Sequence, residues 1–201
     1  MKLDHFFPTS VGSRQDLEFT NKILEISTPI LDKISKKHPN LNYISTFGDN
    51  KISKQLRSIN WLNDYILTLG YSYLKELGFT PWWSLEMDSF VSRMDKDDNH
   101  GLHTHPNSIL SGVAYLRFEP EENNNSESSN HLIFEDPRVE RKFNYLQQSN
   151  PPLHTNSSEV YFTPKVGDII IWESFIPHMV KNNTLDVRET FVFNLVLSNQ
   201  K

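Results

Sequence analysis

The chain has 201 residues, of which 20 are basic and 25 acidic, for a net charge of −5 and a pI near 5.9, and it contains no cysteine. That length corresponds to one domain by the usual prior of roughly 150 residues per unit. The absence of cysteine excludes a disulfide scaffold, zinc fingers, thiolate-ligated clusters and a cysteine nucleophile, and the acidic balance argues against nucleic acid as a partner. In chain order, the opening Met1-Lys-Leu-Asp-His-Phe-Phe-Pro lacks the apolar stretch of a secretory signal, so a cytoplasmic protein is expected. Ser13-Arg14-Gln15-Asp16 has the form of a capping box. After it Phe19, Ile23, Ile26, Ile30 and Ile34 recur at helical spacing, with Pro29 expected to kink or split the helix. A second stripe runs through Ile59, Leu62, Ile66, Leu69, Tyr73 and Leu77 and ends near Gly78. From Pro81 onward the period falls to two, and strands are predicted over 82–93, 109–118, 131–135, 159–163, 168–173, 178–182 and 188–198. No run is long enough to span a bilayer. The stretches 119–130 and 137–157 read as long loops.

Strands without intervening helices predict an antiparallel jelly roll, a double-stranded β-helix, rather than a doubly wound sheet. The expected organisation is a single domain over 1–201, in which a helical part, 1–80, buttresses a barrel core, 81–201.

The residues most able to carry chemistry begin at His103-Thr-His105. In an extended segment, residues two apart share a face, so the pair can present two imidazoles to one ion. His178 opens a strand after Gly167-Asp-Ile-Ile-Ile-Trp-Glu-Ser-Phe-Ile-Pro177. Arg188 opens Arg-Glu-Thr-Phe-Val-Phe-Asn, where Phe191, Phe193, Leu195 and Leu197 share one face and Arg188, Thr190, Val192, Asn194 and Val196 the other. An arginine on an inner face is costly unless an anion meets it. No acidic residue shares that face, so a ligand is a candidate partner.

The order His-X-His, Ser111-Gly-Val-Ala-Tyr115-Leu, Phe134-Glu-Asp-Pro-Arg, Gly167-Asp-(apolar)-Pro-His178-X-Val and Arg188-X-Thr-Phe-X-Phe-Asn194 resembles the 2-oxoglutarate/Fe(II)-dependent oxygenases, nearest to a branch common in phages and marine bacteria. The resemblance implies a double-stranded β-helix that oxidatively decarboxylates 2-oxoglutarate to succinate and CO₂ while hydroxylating a C–H bond of a small-molecule or peptide substrate. It implies His103 and His178 as iron ligands, with His105 in the slot where the wider superfamily has a carboxylate. Arg188, Thr190 and Tyr115 would hold the far carboxylate of 2-oxoglutarate; Asn194 matches the strand motif without an assigned role. Three protein ligands on one side of an octahedral ion leave three positions open. At His105 the alternatives are a three-histidine ion, a two-histidine ion with water, or a carboxylate from Asp136 or the 95–98 cluster. Glu135, Asp136 or Asp88 could orient the imidazoles. Two other classes fit less of the pattern: a cupin-like zinc or nickel hydrolase, and a jelly-roll binding protein in which the histidines are incidental. Trp82, Trp83 and Trp172 read as core or pocket wall, 95–98 as a solvated turn, and His100 as a candidate substrate contact. Substrate and oligomeric state carry no signature.

Overall fold

The computed structural model describes residues 9–80, 83–119, 130–138 and 158–198. Most of the two predicted loops, together with His5, Trp82 and His154, lies outside these residues.

Among the described residues three helices and ten strands follow one another: β1 (Val11–Gln15), α1 (Leu17–Leu31), β2 (Ile44–Ser45), α2 (Asn50–Arg57), α3 (Asn60–Glu76), β3 (Leu85–Asp95), β4 (His100–His103), β5 (Leu110–Glu119), β6 (Leu132–Glu135), β7 (Glu159–Phe162), β8 (Asp168–Glu173), β9 (His178–Val180) and β10 (Val187–Leu197). They form a six-stranded sheet in the order β1-β8-β5-β10-β3-β2 and a four-stranded sheet β4-β9-β6-β7. Every strand pair is antiparallel, which bears out the jelly roll.

Local chemistry explains the helix ends, with two corrections to the sequence reading. Ser13 lies in β1, so there is no capping box; Asp16 alone is the N-cap of α1, accepting from the Phe19 amide at 3.0 Å. Pro29 does not split α1, which continues to Leu31. At two residues from the end it displaces little of the helical hydrogen-bond ladder. The α3 stripe is as predicted and stops before Gly78, whose φ of +85° suits a residue without Cβ. The short α2 carries only Ile52 and Leu56 as large apolar side chains, too few to show a period.

Two cores lie on either side of the larger sheet. On its outer face Phe191, Phe193 and Leu195 of β10 pack with Ile23, Leu62 and Ile66 of the helices. The approach is close: a Cβ at Gly70 of α3 would lie 2.1 Å from Leu195 Cδ1. On the inner face Val113, Tyr115, Phe118, Ile170 and Trp172 meet Leu132, Phe134 and Val180 of the smaller sheet. The alternation of β10 thus divides as the sequence predicts, one face to the helices and one to the interior. A bulge between Glu189 and Thr190 shifts the β10–β5 register. Arg188 lies opposite Phe118, Thr190 opposite Tyr115, and Leu116 is left unpaired. The extra residue lets both Tyr115 and Phe118 face inward.

A candidate metal centre in the inter-sheet cavity

His103, His105 and His178 converge, with one ligand atom from each within 4.8 Å of the others. The route differs in one respect from the extended pair that the spacing suggests. Strand β4 ends at His103, and His105 lies just beyond it, anchored by its amide to the Ser174 carbonyl at 3.0 Å. His178 opens β9 directly across from His103. Among the described residues no carboxylate joins this group. Asp136 is held by Arg138 at 2.8 Å, and Asp98 is buried against Lys37. The 95–98 turn is therefore not wholly solvated: Asp98 also accepts from the Asp95 amide at 2.9 Å.

Each imidazole is oriented through Nδ1. His103 donates to the Gly101 carbonyl at 2.7 Å and His178 to the Ile176 carbonyl at 3.0 Å. A carbonyl can only accept, so the proton sits on Nδ1 and the lone pair on Nε2. His105 Nδ1 meets Asn194 Oδ1 at 2.5 Å and Ser111 Oγ at 2.8 Å, and Ser111 is itself tied to Ser174 Oγ at 2.7 Å. Asn194 thereby gains the role that its motif position left blank. Glu135, Asp136 and Asp88, expected as acceptors, are not the ones used; Asp88 instead accepts from Ser53 Oγ at 2.6 Å. Burial holds all three imidazoles below their ordinary pKa. For His178, burial and then the neighbouring His103 press it to about 3. The group is neutral at pH 7, the state in which imidazole binds a cation.

His100, at the start of β4, stacks on His103 with ring centroids 3.8 Å apart. Its Nδ1 lies 3.0 Å from the Tyr43 hydroxyl. Burial, then the neighbouring His103, lowers its pKa to about 3. It lines the same cavity, as a substrate contact would.

The cavity continues inward to Tyr115, Thr190 and Arg188. Arg188 is only 4% exposed. It donates to Met94 Sδ at 3.0 Å and lies 5.2 Å from the centre of the Tyr115 ring, and no described carboxylate pairs with it. Arg188 Nε, the Tyr115 hydroxyl and Trp172 Nε1 are all buried without a hydrogen-bond partner. Burial, opposed by the nearby guanidinium, raises the Tyr115 pKa, so the phenol stays a donor. Thr190 Oγ1 meets Ser92 Oγ at 2.9 Å. An ion-sized cluster of neutral imidazoles and an uncompensated buried cation thus face one small space. The donor chemistry suits a metal at one end of that space and an anion at the other.

Comparison with known proteins agrees with this chemistry. A sequence-family model described as "Putative 2OG-Fe(II) oxygenase" matches residues 88–194, from β3 through Asn194. No curated protein matches the chain in sequence. The fold is similar to that of EvdO2 from Micromonospora carbonacea var. aurantiaca complexed with 2-oxoglutarate, at 12% identity and TM-score 0.59 over 98% of this chain and 92% of that one. It is also similar to a prolyl-4-hydroxylase from Pseudomonas putida, at 10% identity and TM-score 0.55 over 95% and 94% of the two chains. The viral collagen prolyl hydroxylase of Paramecium Bursaria Chlorella virus-1 has 10% identity and TM-score 0.55 over 94% and 96%.

Proposed function

The chain belongs to the 2OG-Fe(II) oxygenase family, and from that premise we propose that His103, His105 and His178 hold Fe(II) through Nε2 while Arg188, Tyr115 and Thr190 hold the far carboxylate of 2-oxoglutarate. The observation that carries the assignment is the shared cavity: three imidazole ligand atoms within 4.8 Å of one another, and beyond them a buried guanidinium without a described acid. When bound, iron and 2-oxoglutarate would supply, with O₂ as the oxidant, oxidative decarboxylation to succinate and CO₂ coupled to hydroxylation of a substrate C–H bond, one oxygen atom going to succinate and the other to the substrate.

The protein's own contribution is placement. The carbonyls of Gly101 and Ile176 and the Asn194–Ser111 pair fix the three rings before any metal arrives, which removes ordering cost at binding. Arg188 offers a two-pronged grip that a lysine could not reproduce. The Tyr115 hydroxyl, buried and unpaired, adds a donor to the same carboxylate. Leu132, Val113, Val180 and Phe90 line the walls and keep water out. A hydrolytic zinc site would leave Arg188 and Tyr115 without purpose.

Anaerobic addition of Fe(II) and then 2-oxoglutarate tests the assignment. A visible charge-transfer band is expected in the native protein, absent in His178→Ala and shifted to much higher 2-oxoglutarate concentration in Arg188→Ala. Retained zinc with no response to 2-oxoglutarate would defeat it. Among the described residues no helix is long and apolar enough to cross a membrane.

A further inference from the structure

Trp172 is the third buried donor without a partner, and neither the metal ligands nor the guanidinium grip accounts for it. Its side chain is 2% exposed. It lies edge-on to Phe134 and His178, with ring centroids at 5.2 and 4.7 Å, and lines the cavity. An indole N–H can only donate, and a buried one usually finds an acceptor. Leaving it unpaired forfeits the hydrogen bond that water gives it in the unfolded chain. A phenylalanine would fill much of the same volume without that cost, as Phe118 and Phe134 do in the same core.

The sheet registers say which end of the cavity it serves. Trp172 lies opposite Ser111 on β5, and Ser111 opposite Asn194 on β10, the two residues that hold His105. Tyr115 and Thr190 lie opposite one another, farther along, with Arg188 beyond. Unpaired donors therefore stand at both ends, and a 2-oxo diacid carries an acceptor at both ends.

The geometry points to Trp172 as a further positioning residue for the co-substrate: its indole N–H donates to the keto-acid carboxylate beside the imidazoles, while Arg188 and Tyr115 take the far carboxylate. This rests on the 2-oxoglutarate assignment above.

The test uses full-length protein loaded with diamagnetic Zn(II) and ¹⁵N-labelled at its indoles, of which the chain has four. Trp172→Phe identifies the resonance; should that variant not fold, nuclear Overhauser contacts to His178 and Phe134 identify it instead. With 2-oxoglutarate the Trp172 N–H resonance moves downfield while that of exposed Trp61 stays. Pyruvate, which has the keto-acid group but no far carboxylate, moves the same resonance at higher concentration. By calorimetry Trp172→Phe binds 2-oxoglutarate at least about tenfold more weakly, the loss of one hydrogen bond to a charged group. A Trp172 resonance unmoved by saturating 2-oxoglutarate, or unmoved by pyruvate at concentrations that displace 2-oxoglutarate, overturns the assignment and leaves the Arg188 site intact. Failure of the native protein to bind 2-oxoglutarate at all overturns both.

Discussion

Arg188 and Glu189 are neighbours on β10, yet their charges meet opposite environments. Glu189 faces the helices, fully buried, and is saturated: Arg93 reaches it at 2.6 Å, Arg117 at 3.3 Å and Thr28 Oγ1 at 3.0 Å. Arg188 faces the interior, nearly as buried, with a thioether and a phenol ring for company. The outer face spends its polar groups on holding helices to the sheet. The inner face leaves Arg188 Nε, the Tyr115 hydroxyl and the Trp172 indole N–H without partners, at a cost to the stability of the ligand-free fold. The pair shows how one strand separates scaffold from site by alternation alone.

The contrast can be broken from either side. Glu189→Ala takes from Arg93 and Arg117 the buried carboxylate they share, leaving them Asp32 and Glu119 as partners, and is expected to destabilise the fold by about 3 kcal/mol in chemical denaturation. Binding of 2-oxoglutarate to whatever remains folded should be little changed. Arg188→Met should do the reverse. The unfolding free energy should hold or rise, because a buried cation with no acid is replaced by an apolar chain of similar reach. Affinity for 2-oxoglutarate should fall by about 2–5 kcal/mol in calorimetry. Asn194→Ala removes the acceptor that orients His105 and should weaken metal binding about 10–100-fold, read by competition with a chelating dye.

Stability should also depend on pH. His100 and His178 have pKa values near 3 in the folded state against about 6.5 when unfolded. Between those values the unfolded chain binds more protons, so the metal-free protein should keep full stability above about pH 6.5 and lose it steadily as pH falls toward 3. Thermal melts of the metal-free chain should show a shallower slope in His100→Phe.

The inner and outer faces of β10 were legible in the sequence because alternation is local and needs no knowledge of the partner strand. The convergence of His103 and His178 was legible only through a motif order, since nothing in the spacing says that β4 and β9 pair. The acceptors that hold the imidazoles were misread as acids. Two are main-chain carbonyls, which have no residue signature, and the third is Asn194, a neutral side chain 89 residues from His105. Short elements such as β1, β2 and α2 escaped because two to eight residues display too few turns or alternations to establish a period.

The unpaired residue at Leu116 has a consequence for how this chain can vary. Facing is a matter of parity along β5: Val113 and Tyr115 look inward, Ala114 and Leu116 outward, and the bulge resets the count so that Phe118 looks inward again. Losing or gaining one residue between Ser111 and Tyr115 would exchange the phenol for an aliphatic side chain beside Arg188, turning the site inside out while leaving composition almost untouched. The spacing along that strand is therefore as constrained as its buried residues are.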